Sequence, residues 1–181
     1  MKLDTTHTQF PDAITVIHKR KSVRNFTGES IQQSDIDILL KAAMAAPSAV
    51  NCQPWEFIVV TDRKTLDALG EALPYAKMIF KAGAAIIVCG VPAHAHRQMN
   101  EYAVIDSTLA SQNILLAAET IGLGALWTAV YPYFDRMQSV KTILHIPPHI
   151  IPLNVIPIGH PTGEDTPKEK FNPEKIHKEQ W

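Results

Sequence analysis

Residues 20 to 24 read Arg-Lys-Ser-Val-Arg, three cations and a hydroxyl within one short stretch. Arginine presents a planar fork of N–H donors and serine a single short one, so Arg20, Ser22 and Arg24, with Lys21 between them, suit a phosphate monoester. The same residues also suit a plainer role as a solvated helix end, where cations complement the helix dipole. A second candidate is Pro47 to Trp55, Pro-Ser-Ala-Val-Asn-Cys-Gln-Pro-Trp. Two prolines stiffen this loop, and Asn51 and Gln53 carry amides with both donor and acceptor edges, which match a heterocycle with a mixed hydrogen-bonding rim. An ordinary helix-to-strand turn with Trp55 in the core is the alternative.

Other phosphate devices are missing from the sequence. The chain of 181 residues has only 8 glycines. Gly122 and Gly124 are followed by Trp127 where a dinucleotide fingerprint needs a third glycine, and no GxxxxGK[ST] occurs. With a net charge of -1, the surface as a whole has no excess with which to grip a polyanion. Any phosphate is therefore expected to be held by a local group of side chains. A nucleic-acid role for Lys19 to Arg24 is disfavoured for the same reason, and no aromatic-interleaved basic stripe or helix-turn-helix accompanies it. Cys52 and Cys89 form no CxxC, and the 8 histidines, among them His94, His96 and His160, show no metal or acid-base spacing. No metal site is expected, and Cys52 reads as a structural thiol.

The elements that must carry these segments follow from periodicity. Pro11 and Asp12 open a helix with Val16, Ile14 and Ile17 on one stripe, ended by the basic run His18 to Lys21. Ser34 is read as the N-cap of a second helix through Ile36, Leu39, Leu40, Ala43 and Met44, stopped by Pro47. Phe57 to Val60 reads as a buried strand, Asp62 caps a helix to about Leu73, and Ala84 to Val91 is a second buried strand. Tyr102 to Ile121 is the strongest helix, apolar nearly all round and so expected at the centre with most sides covered. Gly122 closes it in the left-handed position. Ala125 to Val130 is a third strand, Phe134 to Leu144 a helix and Leu153 to Ile158 a fourth strand, with Pro157 favouring an edge or bulged place. Seven of the 13 prolines lie from Pro147 onward, so residues 147–181 are expected to be an extended, wrapping segment. Residues 1–181 are read as one domain with a flexible start over 1–11. No segment is apolar over the ~20 residues of a membrane span and no signal peptide is visible, so a cytoplasmic protein is expected.

The chain resembles the nitroreductase family of FMN-dependent oxidoreductases. The resemblance rests on Arg20 to Phe26, on Ala45 to Val60, on the helix ending Ile121-Gly122-Leu123-Gly124-Ala125-Leu126-Trp127, and on Ile156 to Pro161 followed by Lys168 and Lys170. It spans about residues 12 to 181, and all four motifs in this order are a strong signal. It implies an α+β, three-layer fold with a central mixed, mainly antiparallel sheet flanked by helices, in a homodimer with shared FMN sites.

The resemblance also assigns residues. Arg20 and Ser22, with Lys21 nearby, would hold the FMN phosphate, and Arg24 would lie by the pyrimidine edge near N1 and O2. A fixed cation there offsets the negative charge that reduction places on those atoms. Pro47, Ser48, Ala49 and Asn51 would reach the flavin of the other subunit. Trp127, Thr128 and Ala129 would pass the flavin ring, and Lys168 and Lys170 would return to the phosphate. Lys170 stands where the family commonly has arginine, which replaces a fork with a point charge. The implied activity is hydride transfer from NADH or NADPH to FMN and on to nitroaromatics, quinones or another small acceptor in alternating half-reactions. A protein that stores or senses FMN without turnover is the alternative.

Overall fold

The computed structural model describes residues 11–181, so the flexible start expected over 1–11 lies, but for Pro11, outside the described residues. Helix α1 runs Ala13–Lys19 and α2 Gln33–Met44. Strand β1 is Trp55–Val60, α3 Arg63–Ala72, β2 Ala84–Gly90 and α4 Asn100–Thr120. Two short strands, β3 at Gly124–Ala125 and β4 at Thr128–Ala129, precede α5 at Phe134–Leu144 and β5 at Ile151–Gly159.

Local chemistry sets most of these boundaries. Asp12 caps α1 and Asp62 caps α3, each accepting from the amide and hydroxyl of the threonine three positions on. Bonds from the Thr15 hydroxyl and amide hold the Asp12 carboxyl below its usual range, and the Thr65 amide and hydroxyl do so for Asp62. Ser34 is not the N-cap of α2: the cap is Gln32, whose carbonyl accepts from Asp35 and Ile36, and Ser34 lies in the first turn. The Gln33 side chain donates to Asp37 at 2.8 Å, which supports the earlier start. Gly122 closes the end of α4 at φ 79, as its place predicts.

Every strand pairing in the sheet is antiparallel, in the order β1-β2-β5-β3, with β4 also on β5. The fold is α+β, and among the described residues no strand pairs in parallel. Alternation along β2 divides the core. Ile86 and Val88 face Leu39, Ala43, Ala110 and Ile114 of α2 and α4, whereas Ala85 and Ile87 face Leu66, Leu69 and Val140 of α3 and α5. Burial on both faces explains the uninterrupted apolar run of this strand. By contrast β1 is an edge strand with Glu56 and Val59 exposed, not the buried strand its composition predicts.

Two further expectations are corrected. The strand expected over Leu153 to Ile158 forms as Ile151–Gly159 and is the central one, so within 147–181 only residues 147–150 and the chain after Gly159 are loop-rich. Pro157 therefore sits mid-sheet. Gly83 donates to the Ile158 carbonyl at 2.9 Å, so Ile158 turns its backbone groups toward β2 and Pro157 turns the other way. On that side the expected strand 125–130 is broken at Leu126 and Trp127, where a donor from residue 157 is lacking. Helix α4 packs on α2, β2 and β5, yet Ile105 and Leu109 are 55% and 39% exposed, so this chain alone does not cover all its apolar sides. No helix among the described residues is long and apolar enough to cross a membrane.

Candidate functional site

The loop after α1 is held down by its apolar residues, which leaves its polar ones free. Val23 and Phe26 are buried with Ala82 and Leu126, and the Val23 amide donates to the Ala125 carbonyl at 3.1 Å. Two glycines make this fit possible. A Cβ on Gly124 would stand 2.6 Å from Val23 Cγ1, and one on Gly159 2.7 Å from Phe26 Cδ1. The loop thus lies against β3 and the end of β5, with Arg24 and Asn25 exposed between the two anchors.

That placement assembles a cleft of about 320 Å³ lined by Arg20, Lys21, Ser22, Arg24, Glu164, Asp165, Thr166, Lys168 and Lys170. Cations from both ends of the sequence meet there. Lys21 is not free for a ligand, because its ammonium lies 3.2 Å from Glu119 Oε2 at the end of α4. The remaining four cations face the carboxylates of Glu164 and Asp165, an excess of two positive charges. A phosphate monoester carries about −1.5 to −2 at neutral pH, so the cleft matches it in sign. The Arg24 guanidinium leans back onto the Ser22 carbonyl at 3.3 Å.

The second sequence candidate lies elsewhere. Pro47, Ser48, Ala49 and Asn51 do not line the cationic cleft. Their loop is fixed from inside: the Ala49 amide donates to both oxygens of the buried Asp106 at 3.2 Å, and Gln53 N–H donates to Ser48 Oγ at 2.9 Å. Val50, Asn51 and Gln53 all take positive φ, at 52, 57 and 50. Left-handed backbone is costly for any residue with a Cβ and most so for valine. Val50 is nonetheless 77% exposed, at the tip of a tied loop. Cys52 is half-buried, with no disulfide partner.

The third group, Trp127, Thr128 and Ala129, spans the break in the sheet and β4. Thr128 Oγ1 is buried and finds no hydrogen-bond partner among the described residues. Asn154, opposite Ala129 across the β4–β5 pairing, donates to Ser111 Oγ at 2.9 Å while its own Oδ1 has no partner. Two orphaned polar atoms on one short pairing are unusual, since buried polar groups are nearly always satisfied. Arg136 donates to the Ala129 carbonyl at 3.1 Å and stacks over Tyr133, its guanidinium carbon 3.8 Å from the ring centroid.

The sequence reading missed Glu119, Asp106 and Asp165, each of which acts on a residue 57 to 141 positions away, so no local spacing marks it; it also missed Glu164 on the cleft lining. No group of three metal-ligating side chains occurs among the described residues.

The fold is α+β with a cationic cleft at one end of the sheet, and comparison with known proteins narrows what it is. The family model described as "Nitroreductase family" matches residues 17–74 and 71–160, and the chain belongs to that family. A Methanothermobacter thermautotrophicus protein named "Putative NADH dehydrogenase/NAD(P)H nitroreductase" is 42% identical over 170 residues, 94% of this chain and 88% of that protein. The crystal structure of a protein of the same name from Parabacteroides distasonis superimposes with a TM-score of 0.89 at 48% identity, covering 93% of this chain and 98% of the other. An FMN-dependent nitroreductase from Clostridium difficile gives a TM-score of 0.85 at 25% identity, covering 93% and 99% of the two chains.

Proposed function

We propose that this protein is a single-domain, homodimeric FMN-dependent oxidoreductase that takes hydride from NADH or NADPH and reduces nitroaromatics, quinones or another small acceptor by a ping-pong mechanism. The observation that carries the reading is the cleft in which Arg20, Ser22 and Arg24 meet Lys168 and Lys170. Its charge excess, its serine hydroxyl and its arginine forks suit the FMN phosphate. The family membership and the FMN-dependent relative support the same cofactor.

FMN, when bound, supplies the atom that accepts and donates hydride. The chain's own residues then hold and orient. Arg20, Ser22, Lys168 and Lys170 grip the phosphate, and Lys21 steadies the loop from behind through Glu119. Arg24 keeps N–H groups beyond the one bonded to the Ser22 carbonyl, and these would offer the pyrimidine edge a fixed positive charge. The Thr128 hydroxyl offers a buried, unclaimed hydrogen bond at the segment assigned to the ring.

The homodimer accounts for what one chain leaves open. Ile105, Leu109 and Met44 are exposed, as are Ile14 and Ile17 on α1. An apolar groove of about 420 Å³ runs between α1, α2 and α4, lined by Val16, Ile17, Ala42, Ala45 and Leu116. A second copy covers this face and presents its Pro47 to Asn51 loop to the first copy's flavin.

An absorbance spectrum followed by anaerobic NADH and NADPH titration tests the reading. The expected result is a yellow protein that bleaches with one or both coenzymes and gives parallel lines in double-reciprocal kinetics. A colourless protein that takes up no added FMN refutes it, and flavin binding without bleaching turns it into a storage or sensing protein. Analytical ultracentrifugation tests the shared site, which a monomer with full flavin occupancy would overturn.

A further inference from the structure

We propose that Asp165 is the positioning residue that joins the two halves of the phosphate cleft, holding the Arg24 backbone against the segment that carries Lys168 and Lys170. The inference rests on the FMN-phosphate reading above and adds to it a residue that does not itself touch the ligand.

A single carboxylate oxygen, Asp165 Oδ2, accepts the backbone N–H of Arg24 at 2.9 Å, that of Asn25 at 3.1 Å and the Asn25 side-chain amide at 3.4 Å. Consecutive amides converging on one point form a concave anion site. In this cleft the chain's own carboxylate fills it, so a bound phosphate is left to the side chains of Arg20, Ser22, Lys168 and Lys170. Around this contact the two segments are already zipped together. Thr27 donates to the His160 carbonyl and Thr162 to the Asn25 carbonyl, each at 3.0 Å, and Phe26 pairs with Pro161 in an antiparallel bridge. Asp165, itself on the cleft wall, is the last tie of the series before Thr166 and Lys168.

Charge and position work in opposite directions at this residue. A carboxylate among these cations lowers the positive potential that a phosphate feels, so by charge alone Asp165 weakens phosphate binding. Its benefit is geometric: Arg24 and the Lys168 segment are set in place before the ligand arrives, and less ordering remains to be done on binding. The two effects separate by substitution. Asparagine keeps an oxygen that accepts the same N–H groups and removes the charge, whereas alanine removes both.

The experiment measures FMN and riboflavin affinity by fluorescence titration of the apoprotein for wild type, Asp165→Asn and Asp165→Ala, with thermal melts as a folding control. Riboflavin lacks the phosphate and reports the ring contacts, Arg24 included, without those of Arg20, Ser22, Lys168 and Lys170. Positioning predicts that Asp165→Ala loses FMN affinity by about tenfold or more, in line with hydrogen bonds to a charged group, and riboflavin affinity by clearly less, through Arg24 alone. It predicts that Asp165→Asn binds FMN at least as tightly as wild type. An alanine variant that binds FMN as well as or better than wild type overturns the proposal, as does an equal loss for FMN and riboflavin. Amide hydrogen exchange at Arg24 and Asn25 in the flavin-free protein gives a second reading, faster in Asp165→Ala and protected in Asp165→Asn. Unchanged exchange in the alanine variant overturns the positioning role even if the wild-type protein binds no FMN, which separates its failure from that of the functional reading. If the alanine variant does not fold, Asp165→Asn decides alone: weakened FMN binding with both amides still protected overturns it.

Discussion

Lys21 Nζ stands 3.2 Å from Glu119 Oε2, with the two side chains 23% and 17% exposed, and so ties the loop after α1 to the last turn of α4. An unpaired carboxylate at a helix C-terminus is doubly unfavourable when half-buried, because it loses water and faces the negative end of the dipole. Lys21→Met is expected to cost about 1 to 3 kcal/mol in urea denaturation, more than the Lys21→Met, Glu119→Leu double variant, which leaves no charge behind. Equal losses in the two would show that the pair contributes nothing through its charges.

Arg20→Ala removes a charge-assisted, bidentate donor from the cleft and is expected to weaken FMN retention by about 1.5 to 3 kcal/mol, roughly ten- to a hundredfold. Flavin content after dialysis measures it. Lys21→Met is expected to lose less flavin than Arg20→Ala, because its ammonium is already engaged by Glu119. The reverse order would place Lys21 at the phosphate and Arg20 outside.

Val50 holds φ 52 and ψ 25 although it is β-branched. Val50→Gly is expected to stabilise the chain against urea by roughly 1 kcal/mol, the relieved strain less the extra freedom of the unfolded glycine. Under the dimeric reading the same change loosens the loop that meets the partner's flavin, so flavin retention falls while stability rises. A destabilised Val50→Gly would show that the valine side chain is packed in the native protein.

Burial pushes the Cys89 thiol up from 9.0 to about 12, with the negative charge of Glu56 adding to the effect. Between those values the unfolded chain gives up a proton that the folded one keeps, so stability falls as pH rises from about 9 toward 12. Cys89→Ala is expected to flatten that decline in denaturation curves taken at successive pH values. Thiol titration of the native protein is expected to modify Cys52 alone, with Cys89 reacting only after unfolding.

How far these features can be read from sequence differs by kind. The Asp62 cap, the left-handed Gly122 and the continuous apolar run of β2 are written in neighbouring residues, and so were the helix and strand limits they govern. Arg20 to Arg24 and Pro47 to Asn51 were visible as chemistry, and a family pattern placed Lys168 and Lys170 beside the first of them. The edge position of β1 was not visible, because Phe57 to Val60 is as apolar as a central strand. Nor was the interior place of Pro157, which depends on which neighbour its missing N–H would have faced. Asp165 and Glu119 escaped for a different reason: a carboxylate in a loop or at a helix end has no local signature until its distant partner is known.

The strand at the middle of the sheet is the last to be made. On a ribosome, β1 and β2 can pair early, but β2 has an unfilled edge, and β3 and β4 have nothing to pair with, until residues 151–159 emerge. Sheet completion and delivery of Lys168 and Lys170 then fall within a few residues of synthesis of each other. A nascent chain arrested near residue 145 is therefore expected to be open to protease and unable to bind FMN, whereas one extended past residue 170 and clear of the exit tunnel acquires both properties together.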